Sequence, residues 1–182
     1  AEYVAGLVDV FDGVRELLAD DGVLFLNIGD GYAGYWGDKT ATSTGTEPKA
    51  NRRGYDINAR PSFSDAFGGS SIKPKDMLGI PWRVAFALQD AGWYLRQEII
   101  WHRRASFTTA GVSDRPFSRH ETIFFFSKAR RYYFDKDYCD LGSVWDIQPE
   151  RRSGHSAAFP PDLIEPCILA GSRPGDVVLD PF

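Results

Sequence analysis

Apolar residues fall at Val4, Leu7, Phe11, Val14 and Leu18, alternating steps of three and four. That spacing lays one stripe along an amphipathic helix, which stops at Asp20-Asp21-Gly22, where glycine suits a left-handed cap. "VLFLNI" (23 to 28) follows as a near-continuous apolar run, the pattern of a strand covered on both faces. Further on, Pro81 sits as a first-turn residue and "WRVAFALQDAG" presents Val84, Ala87 and Leu88 before Gly92, predicting a second helix. "WYLRQEIIWH" (93 to 102) and "HETIFFFSK" predict strands, and "RYYFD" (130 to 134) and "SVWDI" (143 to 147) predict shorter ones. Pro161 opens a last helix through Leu163, Ile164 and Ile168, with Pro166 kinking it. Beyond Gly171, Val177, Val178 and Leu179 predict a buried terminal strand that Asp180-Pro181-Phe182 must close, because proline cannot donate to a ladder. Helices alternating with strands give the α/β class, and in open α/β sheets ligands bind at the carboxyl ends of the strands.

The stretches between these elements carry the candidate chemistry. "GDGYAG" (29 to 34) matches G-x-G-x-x-G directly after a strand. A dinucleotide site needs a helix opening at the last glycine, and "YWGDKTATSTGTEPKANRRG" has breakers and no apolar stripe, so the motif reads as a glycine-rich loop. Asp30 in that loop either caps or orients it, or stands at the rim of a site beyond the strand end. Residues 35 to about 75 form a long polar loop made basic by Arg52, Arg53, Arg60, Lys73 and Lys75, and loops of that length inside a domain are usually functional or disordered.

Composition narrows the class. The 182 residues, 43% hydrophobic and 14% aromatic, suit one domain with a real core. Cys139 and Cys167 show no C-x-x-C spacing, which argues against a disulfide scaffold or zinc site and for a reducing compartment. No stretch has the length of a membrane span and "AEYVAGL" carries no basic leader, so a cytoplasmic protein without a membrane partner is expected. The net charge of −4 hides a segregation: residues 1 to 38 carry −7, residues 39 to 131 carry +8 and residues 132 to 182 carry −5. A basic middle is either an electrostatic footprint for a polyanion or a solvated loop.

Four stretches in order, "GVLFLNIGDGYAG", "GIPWRVAFALQDAGWYLRQEIIWHRR", "RPFSRHETIFFFSKARRYYFD" and "SVWDIQP...FPPDLIEPCILAGSRPGDVVLDPF", resemble the DNA amino-methyltransferases. These act on cytosine N4 or adenine N6, and the order here is the one in which the cofactor motif follows the catalytic motif. The resemblance runs from near residue 1 to residue 182. It implies a Rossmann-like S-adenosylmethionine-dependent methyltransferase fold with a mixed sheet, incomplete in this chain: a single partial core over 1–182, with a long basic loop at about 35–75 and a short insertion at about 103–117.

The resemblance assigns S-adenosylmethionine to Asp180, Pro181 and Phe182, which match the start of the family's cofactor motif, and to Phe159-Pro160 with His155 before them. For double-stranded DNA it points to His102, Arg103, Arg104, Arg115 and Arg119, to Arg52 and Arg53 in the long loop, and to Arg151-Arg152. Phosphate binding is the expected role of Arg103 and Arg104, and an ion pair between Arg119 and Glu121 is the structural alternative for those two. His120 beside them reads as structural.

The family's catalytic tetrapeptide, [DSN]-P-P-[YFW], should precede the first helix and is not among these residues. "FPPD" (159 to 162) has the wrong flanks and place. That motif accepts the amine protons and stacks on the flipped base, so no residue here takes a catalytic role, and the 182 residues alone are expected not to methylate DNA. The parent protein is expected to be longer, because the missing strand would separate "VLFLNI" from the terminal strand. The expected function is site-specific methyl transfer to a base amine, leaning to cytosine N4 over adenine N6 and fitting restriction-modification. The rivals are an inactive DNA-binding module and a methyltransferase for RNA or a small molecule.

Overall fold

The computed structural model describes residues 2–33, 72–73, 75–103, 114–149 and 159–182. Helix α1 (Glu2–Leu17) leads into strand β1 (Val23–Ile28), and α2 (Ile80–Asp90) is followed by β2 (Tyr94–Arg103) and β3 (His120–Ser127). A 3₁₀ turn (Lys136–Leu141), the short strand β4 (Val144–Ile147) and α3 (Pro161–Gly171) complete the order. The four strands form one sheet in the order β1-β3-β2-β4. β3 is antiparallel to both neighbours and β4 is parallel to β2. The carboxyl ends of β1, β2 and β4 therefore share one edge of the sheet with the start of β3.

Alternation along the strands sorts two cores. Leu26, Phe124 and Phe126 join Phe11, Val84, Ala85, Leu88 and Trp93 beneath α1 and α2. Ile99, Trp101, Ile123, Phe125 and Trp145 meet Leu163 and Cys167 of α3 on the opposite face. β3 is covered from both sides, which is why "IFFF" is apolar without alternation. Its Phe125 stacks on Phe25 directly across the ladder, centroids 4.8 Å apart. α3 approaches β1 so closely that a Cβ on Gly171 would lie 2.7 Å from Val23 Cγ2. Among the described residues no helix is long and apolar enough to cross a membrane, and no acidic, histidine or cysteine cluster could hold a metal ion.

Two expected strands are absent among the described residues. Val177, Val178 and Leu179 form no strand and are 94%, 55% and 53% exposed. A strand needs a ladder partner, and among the described residues this segment has none. Instead the Asp176 carboxylate accepts from Arg173 N at 2.8 Å to make a turn, and Phe182 packs edge-on against Phe11 of α1, centroids 6.1 Å apart. "RYYFD" is also not a strand. Tyr132 and Phe134 lie over Phe125 at 5.6 and 5.3 Å, so the segment crosses the face of the sheet, tied by Tyr133 N to Asp21 O at 2.9 Å. The last helix does open at Pro161 and runs through Pro166 to Gly171, its buried stripe being Leu163, Cys167 and Ala170 with Ile168 exposed.

Candidate functional site

The loop after β1 is held by one carboxylate. Asp30 Oδ1 accepts from Gly31 N at 2.8 Å and from Ile80 N at 3.0 Å, and Oδ2 accepts from Gly79 N at 3.1 Å. A helix begins with unpaired N–H groups, and Gly79, in the left-handed region at φ 65°, has no side chain to cap its own helix. Asp30 supplies that cap from 49 positions away. A short ladder reinforces the join: Ala33 N donates to Asp76 O at 2.8 Å, Lys75 N to Ala33 O at 2.9 Å and Leu78 N to Gly31 O at 2.9 Å, around a Tyr32–Met77 bridge. Lys75 adopts φ 73° there, an uncommon conformation for a residue with a side chain. The two ends of the long basic segment thus leave and return at one point on the carboxyl edge.

Residues 114 and 115, ahead of β3, come to the same point. Lys75 Nζ lies 2.7 Å from Asp114 Oδ2, and the Arg115 guanidinium lies over the Tyr32 ring, 3.7 Å from its centroid. The hydrogen bond and charge of Lys75 hold the Asp114 carboxyl below its ordinary value. Farther along the edge, His102 Nδ1 is 3.1 Å from Asp146 Oδ1, its parallel-register partner. Arg103 Nη1 donates to Glu121 Oε1 at 2.9 Å, and its Nη2 donates to Ser118 O at 3.2 Å. The ion pair formed by Glu121 is therefore with Arg103, and Arg119 contributes its backbone carbonyl to Arg103 N at 2.8 Å. Trp101 Nε1 donates to Ile147 O at 2.9 Å, locking β4 to the edge.

Of the residues expected to meet DNA, His102, Arg103, Arg115 and Arg119 stand in or beside this carboxyl edge. Arg52, Arg53, Arg104, Arg151 and Arg152 lie outside the described residues, as does His155. The cofactor candidates do not converge. Pro160 is buried at the start of α3 with Phe159 exposed beside it, whereas Phe182 packs under α1 on the other face, and Asp180 Oδ1 accepts from Phe182 N at 3.1 Å. Sequence reasoning missed Tyr32 and Asp114 as members of the edge. Tyr32 lies inside "GDGYAG", but only the fold shows its ring facing Arg115. It also missed Asn27, whose Nδ2 is buried near the end of β1 without a hydrogen-bond partner.

A family model described as DNA methylase matches residues 1–182. The chain belongs to the N4/N6 DNA methylase family. It is 41% identical over 193 residues to the type II methyltransferase M.XycI of Xanthomonas campestris pv. cyanopsidis, covering 100% of this chain and 60% of that protein. Against the type II methyltransferase M.SmaI of Serratia marcescens it is 42% identical over 194 residues, covering 62% of that protein. The chain therefore spans about three fifths of the length of those relatives. Among solved structures, the PvuII DNA methyltransferase (cytosine-N4-specific) superposes with a TM-score of 0.65 at 17% identity, over 96% of this chain and 56% of that one. A putative DNA modification methylase from Thermus thermophilus, solved with S-adenosyl-L-methionine, gives 0.63 at 20% identity, over 100% of this chain and 63% of that one. The mixed α/β sheet is thus a partial methyltransferase fold, as the sequence resemblance implies.

Proposed function

We propose that the protein to which these residues belong transfers a methyl group from S-adenosylmethionine to an exocyclic base amine of double-stranded DNA. Membership of the DNA methylase family over residues 1–182 carries this reading. Cytosine N4 is favoured over adenine N6 because the stretches "NIGDGYAG" and "KPKDMLGIPWR" resemble members that act on cytosine N4. The reaction belongs in the cytoplasm, beside the DNA.

S-adenosylmethionine, when bound, supplies a methyl on a sulfonium, which an amine nitrogen can attack while the neutral thioether leaves. Chemically the described candidates suit it singly, Asp180 as a carboxylate for a cationic group and exposed Phe159 and Phe182 as rings for a flat heterocycle, but Phe159 and Phe182 stand on opposite faces of the sheet and form no shared site among the described residues. Asp180, Pro181, Phe182, Phe159, Pro160 and His155 are the proposed cofactor residues. His102, Arg103, Arg104, Arg115, Arg119, Arg52 and Arg53 are proposed to face DNA, the carboxylates of Asp146 and Glu121 fixing the directions of His102 and Arg103. None of the 182 residues is assigned the task of accepting the amine protons, so these residues alone are expected to give no turnover.

The experiment is methyl transfer by the full-length protein from labelled S-adenosylmethionine to unmethylated duplex DNA, followed by digestion to nucleosides. Label in N4-methylcytosine supports the full reading, and label in N6-methyladenine changes the target base. Label only in RNA, or none in any nucleic acid, would overturn it.

A further inference from the structure

The carboxyl edge holds an aromatic ring whose cover can be exchanged. Tyr32 is 38% exposed, and its main chain is fixed by the Met77 bridge and the ladder to residues 75–78, so the ring stands on a firm base. Its face carries the Arg115 guanidinium at 3.7 Å, a flat cation occupying the position that any flat π system could take. Beside it, Lys75 is 70% exposed and bound to Asp114, itself 55% exposed. Solvent screens such pairs, so a phosphate can compete for both cations at little cost.

We propose that Tyr32 is a stacking platform for an unpaired nucleobase of the DNA, with Arg115 leaving the ring for a phosphate as the base arrives. This rests on the reading of DNA as the substrate and adds a nucleotide subsite to it. One aromatic face with two adjacent cations is a minimal nucleotide site: the ring takes the base, whichever it is, and Arg115 and Lys75 take the backbone. Asp114 is the opposing element, because its charge holds Lys75 and repels phosphate.

The test uses the full-length protein and a labelled single-stranded oligonucleotide of about 12 nucleotides, with the duplex of the same sequence alongside, titrated by fluorescence anisotropy over a salt series. Tyr32→Ala should weaken single-strand binding by about 5- to 150-fold with the salt slope unchanged, since stacking releases no counterion. Tyr32→Phe should bind like the parent, and Asp114→Asn should bind more tightly. Arg115→Ala should instead flatten the slope by about 0.7. Parental affinity in Tyr32→Ala, with the parent binding both probes, overturns this inference alone. A parent that binds neither probe overturns it together with the reading on which it rests.

Discussion

The Asp30 carboxylate, two residues beyond the end of β1, caps the helix that starts at Ile80, with Oδ1 3.0 Å from Ile80 N. One side chain thereby joins the strand end, the glycine loop and the far flank of the long basic segment. Asp30→Ala should cost about 1–2 kcal/mol, because it orphans the Gly79 and Ile80 N–H groups at a helix start. Asp30→Asn keeps an acceptor oxygen and should recover more than half of that loss. Urea unfolding of the two variants measures it. Equal midpoints for Asp30→Ala and the parent would show that water caps the helix equally well.

The approach of α3 to β1 makes Gly171 a second sensitive point. A Cβ there meets Val23 Cγ2 at 2.7 Å and Phe25 Cε2 at 3.1 Å. Elsewhere a glycine-to-alanine change in a helix stabilises, by about 0.5–1 kcal/mol. Here the overlap outweighs that gain, and Gly171→Ala should destabilise by about 1–3 kcal/mol, read as a lower thermal midpoint. Pairing it with Val23→Ala tests the cause: the double variant should lose less than the sum of the two single changes.

What the sequence makes legible is what local periodicity encodes. The stripe from Val4 to Leu18 and the runs around Phe25 and Phe124 predict α1, β1 and β3, because covered faces leave a regular pattern. "VVL" at 177 to 179 shows the limit: β-branched residues favour a strand, but a strand exists only beside a partner, and nothing local reports the partner. The aromatic residues Tyr132 and Phe134 give the same signal and serve a different purpose, roofing Phe125. The carboxyl edge is legible in composition and not in wiring. Arg103 pairs with Glu121 because the register sets Trp101 opposite Glu121, placing Arg103 on the diagonal. Asp30 and Ile80 meet only through the tertiary fold.

The two cysteines should react very differently. Cys167 is buried in the α3 core and burial pushes its thiol up to about 12, whereas Cys139 is exposed in the 3₁₀ turn. Since the thiolate is the nucleophile, at pH 8 only about one Cys167 in ten thousand carries it, and the surrounding core shields even that fraction. Peptide mapping after treatment with a thiol-specific reagent should therefore find one of these two thiols fast-reacting in the native protein and both reactive in denaturant. Two fast groups under native conditions would mean that α3 opens readily from the sheet.

Acid should loosen the tie between the α1–β1 turn and the segment after α3. Arg173 Nη2 lies 2.8 Å from Asp21 Oδ2, and the guanidinium covers the Tyr133 ring at 4.0 Å. The Arg173 hydrogen bond, with its charge adding to it, lowers the Asp21 carboxyl from its ordinary 3.8. A group whose folded value is depressed stabilises the fold above its unfolded value and loses that contribution as pH falls through the folded one. The stability from this pair should therefore be complete above 3.8 and disappear below it. Both side chains are exposed, so the effect is modest and screened by salt. Arg173→Gln should lower the urea midpoint near neutral pH and leave a smaller further drop on acidification than in the parent. Parallel acid profiles for the two proteins would show that the pair is geometrically present and energetically silent.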